Sequence, residues 1–117
     1  MDPTELRART KAFALRIIKL TRAIPKSDDA ARAIARQIVR SGTSVAANYR
    51  ASCRARSRAE FISKIGTVEE EADETALWLE LLIESSIIPA RKLNTLLEEA
   101  NELTAIMAAS RKTAGGG

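Results

Sequence analysis

The hydrophobic positions of this chain recur at spacings of three and four residues in four separate stretches. This spacing places apolar side chains on one face of an α-helix, and the strict alternation typical of a β-strand is absent. Two stretches open with helix-start motifs, Asp2 before Pro3, and Ser57 three residues before Glu60. The pattern predicts helices over about residues 3–24, 28–53, 58–86 and 89–112. Amphipathic helices joined by short turns predict an all-α, up-and-down antiparallel four-helix bundle.

A chain of 117 residues has room for one hydrophobic core. We expect a single domain over residues 1–112, followed by a flexible C-terminal tail over residues 113–117. Within the second helix, the run Ser41–Ser44 has poor helix propensity, but its small side chains allow a neighbouring helix to approach closely. The sequence therefore predicts tight packing at Gly42.

The composition excludes several kinds of chemistry. Histidine is absent and aromatic residues make up 3% of the chain, which argues against histidine-based catalysis, histidine metal ligation and broad stacking platforms for bases. Cys53 is the one cysteine, which favours a reducing, cytoplasmic location. We expect no export signal and no membrane span, because every apolar run is short and interrupted by charge. The expectation is a protein that is not an enzyme and binds no cofactor or metal ion.

The net charge of +4 is unevenly distributed along the chain. Residues 1–58 carry 14 basic and 4 acidic residues, whereas residues 59–117 carry 5 basic and 11 acidic residues. At about 100° per residue, five arginines of the second helix fall within one stripe. They are Arg32, Arg36, Arg40, Arg50 and Arg54. One interpretation is a nucleic-acid-binding surface, because guanidinium groups bind phosphate oxygens. The alternatives are a solvated face, or pairing with glutamates of the third helix in the same or a neighbouring subunit.

The third helix carries an apolar patch that its buried seam does not explain. Leu77, Trp78 and Leu81 fall on the side opposite the seam, ringed by acidic residues. An apolar centre with a charged rim is typical of an interface, so we expect an oligomer interface here, with the basic half of one subunit facing the acidic half of another. The alternative is that Trp78 covers a helix edge. A carboxylate-bridged di-iron centre is disfavoured because it requires Glu-x-x-His pairs.

Three further features have weaker interpretations. Cys53 lies among arginines, but no base is nearby to support nucleophilic catalysis. Asn48, at the margin of the apolar face, is expected to find hydrogen-bond partners inside the bundle. The basic face of the first helix, at Arg16, Lys19 and Arg22, leaves open an association with an anionic membrane surface.

Three segments carry a family resemblance: Arg40-Ser41, Ser44–Tyr49 and Arg56–Phe61. They resemble the four-helix-bundle family named for proteins encoded in intervening sequences of bacterial 23S ribosomal RNA genes, and the likeness spans about residues 6–110. This resemblance implies an up-and-down bundle that assembles into a homopentameric ring, with no established enzymatic activity. A distantly similar bundle, the accessory variability protein of diversity-generating retroelements, implies binding of nucleic acid and of a protein partner.

Together, these features lead to two hypotheses. The first is a non-enzymatic, ring-forming bundle whose arginine-rich surface binds RNA, DNA or a nucleoprotein. The alternative is a purely structural homo-oligomer or protein-interaction adaptor, whose arginines pair with glutamates of neighbouring subunits.

Overall fold

The computed structural model describes residues 1–116, and these residues form four α-helices and no β-strand. The helices are α1 (Pro3–Ala23), α2 (Asp29–Ser52), α3 (Arg58–Glu84) and α4 (Ala90–Ala114). Each packs against the next along the chain, and α1 also contacts α4, so that α1 and α3 lie diagonally across a body 47 Å long and 20 Å across. Because short loops join helices that run nearly its full length, consecutive helices are antiparallel. The all-α, four-helix fold is confirmed.

The helix ends show why these segments begin and stop where they do. The side chains of Asp2, Asp28 and Ser57 accept hydrogen bonds from backbone N–H groups three residues on, at 2.9 to 3.0 Å. Glu60 does not close the reciprocal half of a capping box on Ser57; its carboxylate accepts instead from the Arg56 backbone N–H at 2.8 Å.

The C-terminal end of α4 lies two residues beyond its predicted position. Residues 113 and 114, expected in the tail, continue the helix, because the Arg58 side chain donates to the Ala114 carbonyl oxygen and ties the last turn to the start of α3. Gly115 and Gly116 follow as a turn, and residue 117 of the expected tail lies outside the described residues.

The core is an apolar seam crossed by a buried polar contact between two helices. Its largest fully buried side chains include Phe13, Ile17, Ile38, Val45, Ile65, Leu79, Leu82, Leu103 and Met107. In the middle of the α2–α3 contact, the Thr75 hydroxyl lies 2.8 Å from both the Ser41 hydroxyl and the Glu71 carbonyl oxygen. Every buried side-chain polar atom in the described part of the chain has a partner, as a packed core requires.

Gly42 brings α2 into close contact with α1. A Cβ atom placed on Gly42 would lie 2.8 Å from both Cγ1 and Cγ2 of Ile17, which is itself fully buried. Carbon atoms pack best at about 3.5 to 4.0 Å, so the α1–α2 contact requires glycine here. The tight packing predicted at Gly42 is confirmed.

The contact between α1 and α4 is the sparsest of the four. It is held by Arg9, whose Nε and Nη2 donate to the two carboxylate oxygens of Glu99 at 2.7 and 2.6 Å. Arg16 Nη2 adds a hydrogen bond to Thr95 Oγ1 at 3.1 Å. Beyond these contacts the two helices leave a groove between them at one end of the bundle.

Candidate nucleic-acid interface

The five stripe arginines are exposed, but they do not form one site. Arg36 and Arg50 are 14 residues apart, which is about 21 Å along a helix. Arg32 and Arg36 therefore lie near the start of α2, and Arg50 lies near its end. Arg54 lies in the turn that follows, since α2 ends at Ser52.

Arg40 forms ion pairs with α3 of the same chain. Its Nη1 lies 2.9 Å from Glu71 Oε2, and its Nη2 pairs with Glu74. The hydrogen bond to Glu74, together with the charges of both carboxylates, raises the pKa of Arg40. The pairing of arginines with third-helix glutamates thus occurs at Arg40, within one chain, and Arg40 is less available to a phosphate. Arg32 has a weaker local contact, 3.6 Å from Asp29.

The end of α2 and the start of α1 enclose a cleft of about 520 Å³, which we call the basic cleft. Four cations surround it: Arg7 and Lys11 from α1, and Arg50 and Arg54 from the α2 end. Its remaining lining consists of Ala8, Thr10, Ala46, Ala47 and Cys53. No carboxylate lines this cleft, and none of its four cations forms an ion pair among residues 1–116. The cleft is therefore a concentration of unneutralised positive charge over small side chains.

A shallower recess of about 410 Å³ adjoins the basic cleft. It shares Arg50 and Arg54 with the cleft and adds Arg56 and Lys64. Its one carboxylate is that of Glu60, which accepts a backbone hydrogen bond. The cleft and the recess together extend the cationic surface across this end of the bundle.

Arg7, Lys11 and Lys64 were not among the residues singled out in the sequence. In an antiparallel bundle, the start of α1 lies beside the end of α2, and residues at i and i+4 share one helix face. The spacing of Arg7 and Lys11, combined with the predicted topology, would have placed this pair opposite Arg50 and Arg54.

Two further groups of the cleft region are accounted for by local contacts. The Thr10 hydroxyl lies 2.8 Å from the Leu6 carbonyl oxygen, and Asn48 Nδ2 donates to the Ser44 carbonyl oxygen at 2.9 Å.

Burial, together with the neighbouring thiol of Cys53, raises the pKa of Tyr49 to about 12. Within the described chain, no group of three or more acidic or cysteine side chains is arranged to hold a metal ion.

The three residues of the expected α3 interface patch differ in their exposure to solvent. Leu77 and Leu81 are 46% and 39% exposed, as an interface requires. Trp78 is half-buried against the core, and its Nε1 donates to Glu74 Oε2 at 3.0 Å. The expectation that Trp78 lies opposite the seam is therefore corrected. Trp78 follows Glu74 by one helical turn, so the two side chains share the side of α3 that faces α2. The indole therefore covers the edge of the helix, as the alternative interpretation of the sequence expected.

The basic face of α1 is also divided. Arg16 and Lys19 lie at the rim of the groove between α1 and α4, whereas Arg22 is exposed outside the groove. Among the described helices, none is both long enough and apolar enough to cross a bilayer.

Comparison with known proteins agrees with the bundle described above. The chain is similar to a crystal structure from Bacteroides thetaiotaomicron, described as a protein with unknown function from the S23 ribosomal protein family. The two share 32% sequence identity with a TM-score of 0.87, and the match covers 96% of this chain and 99% of that one. No match is found among curated proteins. Residues 4–109 match the family of the 23S rRNA-intervening sequence protein, and the resemblance seen in the sequence is confirmed. The chain belongs to the 23S rRNA-intervening sequence protein family.

Proposed function

We propose that this protein is a non-enzymatic, cytoplasmic, self-associating bundle that binds the phosphodiester backbone of nucleic acid through its basic cleft. The observation that carries the proposal is the convergence of Arg7, Lys11, Arg50 and Arg54 on one cleft without a carboxylate. Guanidinium and ammonium groups in this arrangement bind phosphate oxygens and release condensed counterions. The family name refers to 23S rRNA, which makes RNA the first nucleic acid to test.

The cleft offers contacts to the backbone rather than to the bases. No aromatic side chain lines it, so base stacking is not available there. Its polar side chains are cations, a threonine and a cysteine, and the alanines allow a strand to approach the helix surfaces closely. We therefore expect binding with little sequence preference.

The experiment compares two double substitutions on α2 in an RNA-binding assay at increasing salt. Arg50→Ala with Arg54→Ala removes half of the cleft's charge, and Arg32→Ala with Arg36→Ala is the matched control near the other end of the helix. With one phosphate per cleft cation, single-strand affinity falls by about 50-fold between roughly 50 and 200 mM salt, and by about 7-fold for the cleft variant. The control should keep the wild-type slope.

Two results would overturn this function. Affinity that does not change with salt would exclude phosphate binding, and equal slopes for the cleft variant and the control would exclude the basic cleft. Arg40 is left intact in both variants because its ion pairs with Glu71 and Glu74 would otherwise be broken.

A structural homo-oligomer or protein-interaction adaptor is the second candidate function. Its arginines would pair with glutamates of neighbouring subunits, and the exposed Leu77 and Leu81 on α3 favour such a contact. In that case the Arg50 and Arg54 substitutions would change the mass of the assembly and leave RNA retention unaltered. Light scattering of the Arg50 and Arg54 variant separates the two functions, because nucleic-acid binding at the cleft predicts the wild-type mass, five times 12.7 kDa for a pentamer, and the structural function predicts a changed mass.

A further inference from the structure

The groove between α1 and α4 is an apolar surface with a cationic rim. It encloses about 460 Å³ between the last turns of α1, residues 87–89 and the first turns of α4. Its apolar lining is Leu20, Ala23, Pro25, Ile87, Ile88, Pro89, Leu93 and Leu96. The three charged residues at its edge are Arg16, Lys19 and Lys92, and no carboxylate lines it. Such a groove fits a partner that presents apolar side chains flanked by acids.

The outer face of α3 presents this chemistry. Leu77 and Leu81 are both exposed, and Asp73, Glu80 and Glu84 are exposed around them at helical spacings of three and four. These three acids form no ion pair within the part of the chain that is described. We call this set of two leucines and three acids the acidic ridge.

The acidic ridge cannot reach the groove of its own chain. It faces outward from α3, which packs against α2 and α4, while the groove lies between α1 and α4. Both lie at the same end of the bundle, because α3 ends at Glu84 and the groove begins at Ile87. When two copies pack in parallel, two different surfaces at one height are joined by rotation about an axis parallel to the bundle, and a ring forms where that rotation closes.

We propose that the groove between α1 and α4 binds the acidic ridge of a second copy of this chain. The inference rests on the self-association in the proposed function and names its two faces. Leu77 and Leu81 enter the apolar groove, and the ridge acids face Arg16, Lys19 and Lys92. Leu15, 58% exposed and one turn before Lys19, widens the apolar contact beside the groove.

The test reverses charge on each face separately and then on both. Lys19→Glu with Lys92→Glu reverses the groove rim, and Glu80→Lys with Glu84→Lys reverses the ridge. Each pair should shift the mass measured by light scattering from a multiple of 12.7 kDa towards that of the monomer. A chain carrying all four changes regains complementary faces and should recover the assembly.

The matched control for the groove is Lys26→Glu with Arg91→Glu, which makes the same charge change at the same end of the bundle outside the groove lining. This control should retain the wild-type mass. An oligomeric wild type whose mass is unchanged by the groove reversal, or a fourfold variant that stays monomeric, would overturn the docking. A monomeric wild type would instead refute self-association itself, and RNA binding at the basic cleft is measured independently of both.

Discussion

Gly42→Ala tests whether the α1–α2 contact depends on the absence of a side chain. The new Cβ would lie 2.8 Å from Cγ1 and Cγ2 of Ile17 and 3.0 Å from its Cβ, atoms that are close to the α1 backbone. Ile17 is β-branched and fully buried, so it has no easy rotamer to move into. Overpacking of this kind costs about 1 to 3 kcal/mol, and replacing a mid-helix glycine by alanine gains about 1 kcal/mol. Because the contacts involve the inflexible part of Ile17, we expect a net loss of about 1 to 2 kcal/mol.

Gly66→Ala is the matched control for this substitution. A Cβ at this α3 position would meet Arg111 Cδ at 3.8 Å, an ordinary contact, so helix propensity predicts a gain of about 1 kcal/mol. Urea denaturation followed by circular dichroism measures both variants, at one protein concentration because assembly affects apparent stability. A Gly42→Ala variant that is stabilised as much as Gly66→Ala would refute the close contact between Gly42 and Ile17.

Two further predictions concern stability. Arg9→Ala removes the bidentate ion pair with Glu99, in which the two side chains are 23% and 16% exposed. It should therefore lower the free energy of unfolding by about 1 to 2 kcal/mol. An equal loss for Arg7→Ala would contradict this, because Arg7 has no ion partner among the described residues. Tyr49, the one tyrosine, should show phenol ionisation near pH 12 in an ultraviolet titration. The unfolded phenol loses its proton near pH 10 and the folded one near pH 12, so the contribution of Tyr49 to stability is complete below pH 10 and lost as the pH rises to 12. Tyr49→Phe should remove that loss, and a phenol midpoint near pH 10 would be inconsistent with burial.

The sequence was sufficient for features that depend on one helix at a time. Helix periodicity and the caps at Asp2 and Ser57 are local, so the four elements were predictable from residue type and spacing. The close approach at Gly42 was also predictable, because small residues in mid-helix indicate contact with a neighbour whatever that neighbour is.

Features that depend on the register between helices were not predictable in this way. The pairing of Arg40 with Glu71 and Glu74 requires the α2–α3 alignment, and the same alignment turns Trp78 onto the core edge. The basic cleft likewise combines Arg7 with Arg50 from helices whose relative height only the structure gives. A helical wheel gives the direction in which each side chain points, but it does not give the position of one helix along the axis of the helix packed beside it.

The charged side chains that form no ion pair within the described chain are unevenly distributed over the surface of the bundle. Arg9, Arg40 and Arg111 neutralise carboxylates of α3 and α4. Of the remaining cations, four line the basic cleft at one end and three lie at the groove rim towards the other, where the acidic ridge also lies. In a ring formed by the proposed docking, all copies are parallel, and their basic clefts lie on one rim. A strand that engages several clefts then gains affinity through effective concentration without any new contact. Assembly through the groove at one end of the bundle would then strengthen phosphate binding at the proposed site at the other end.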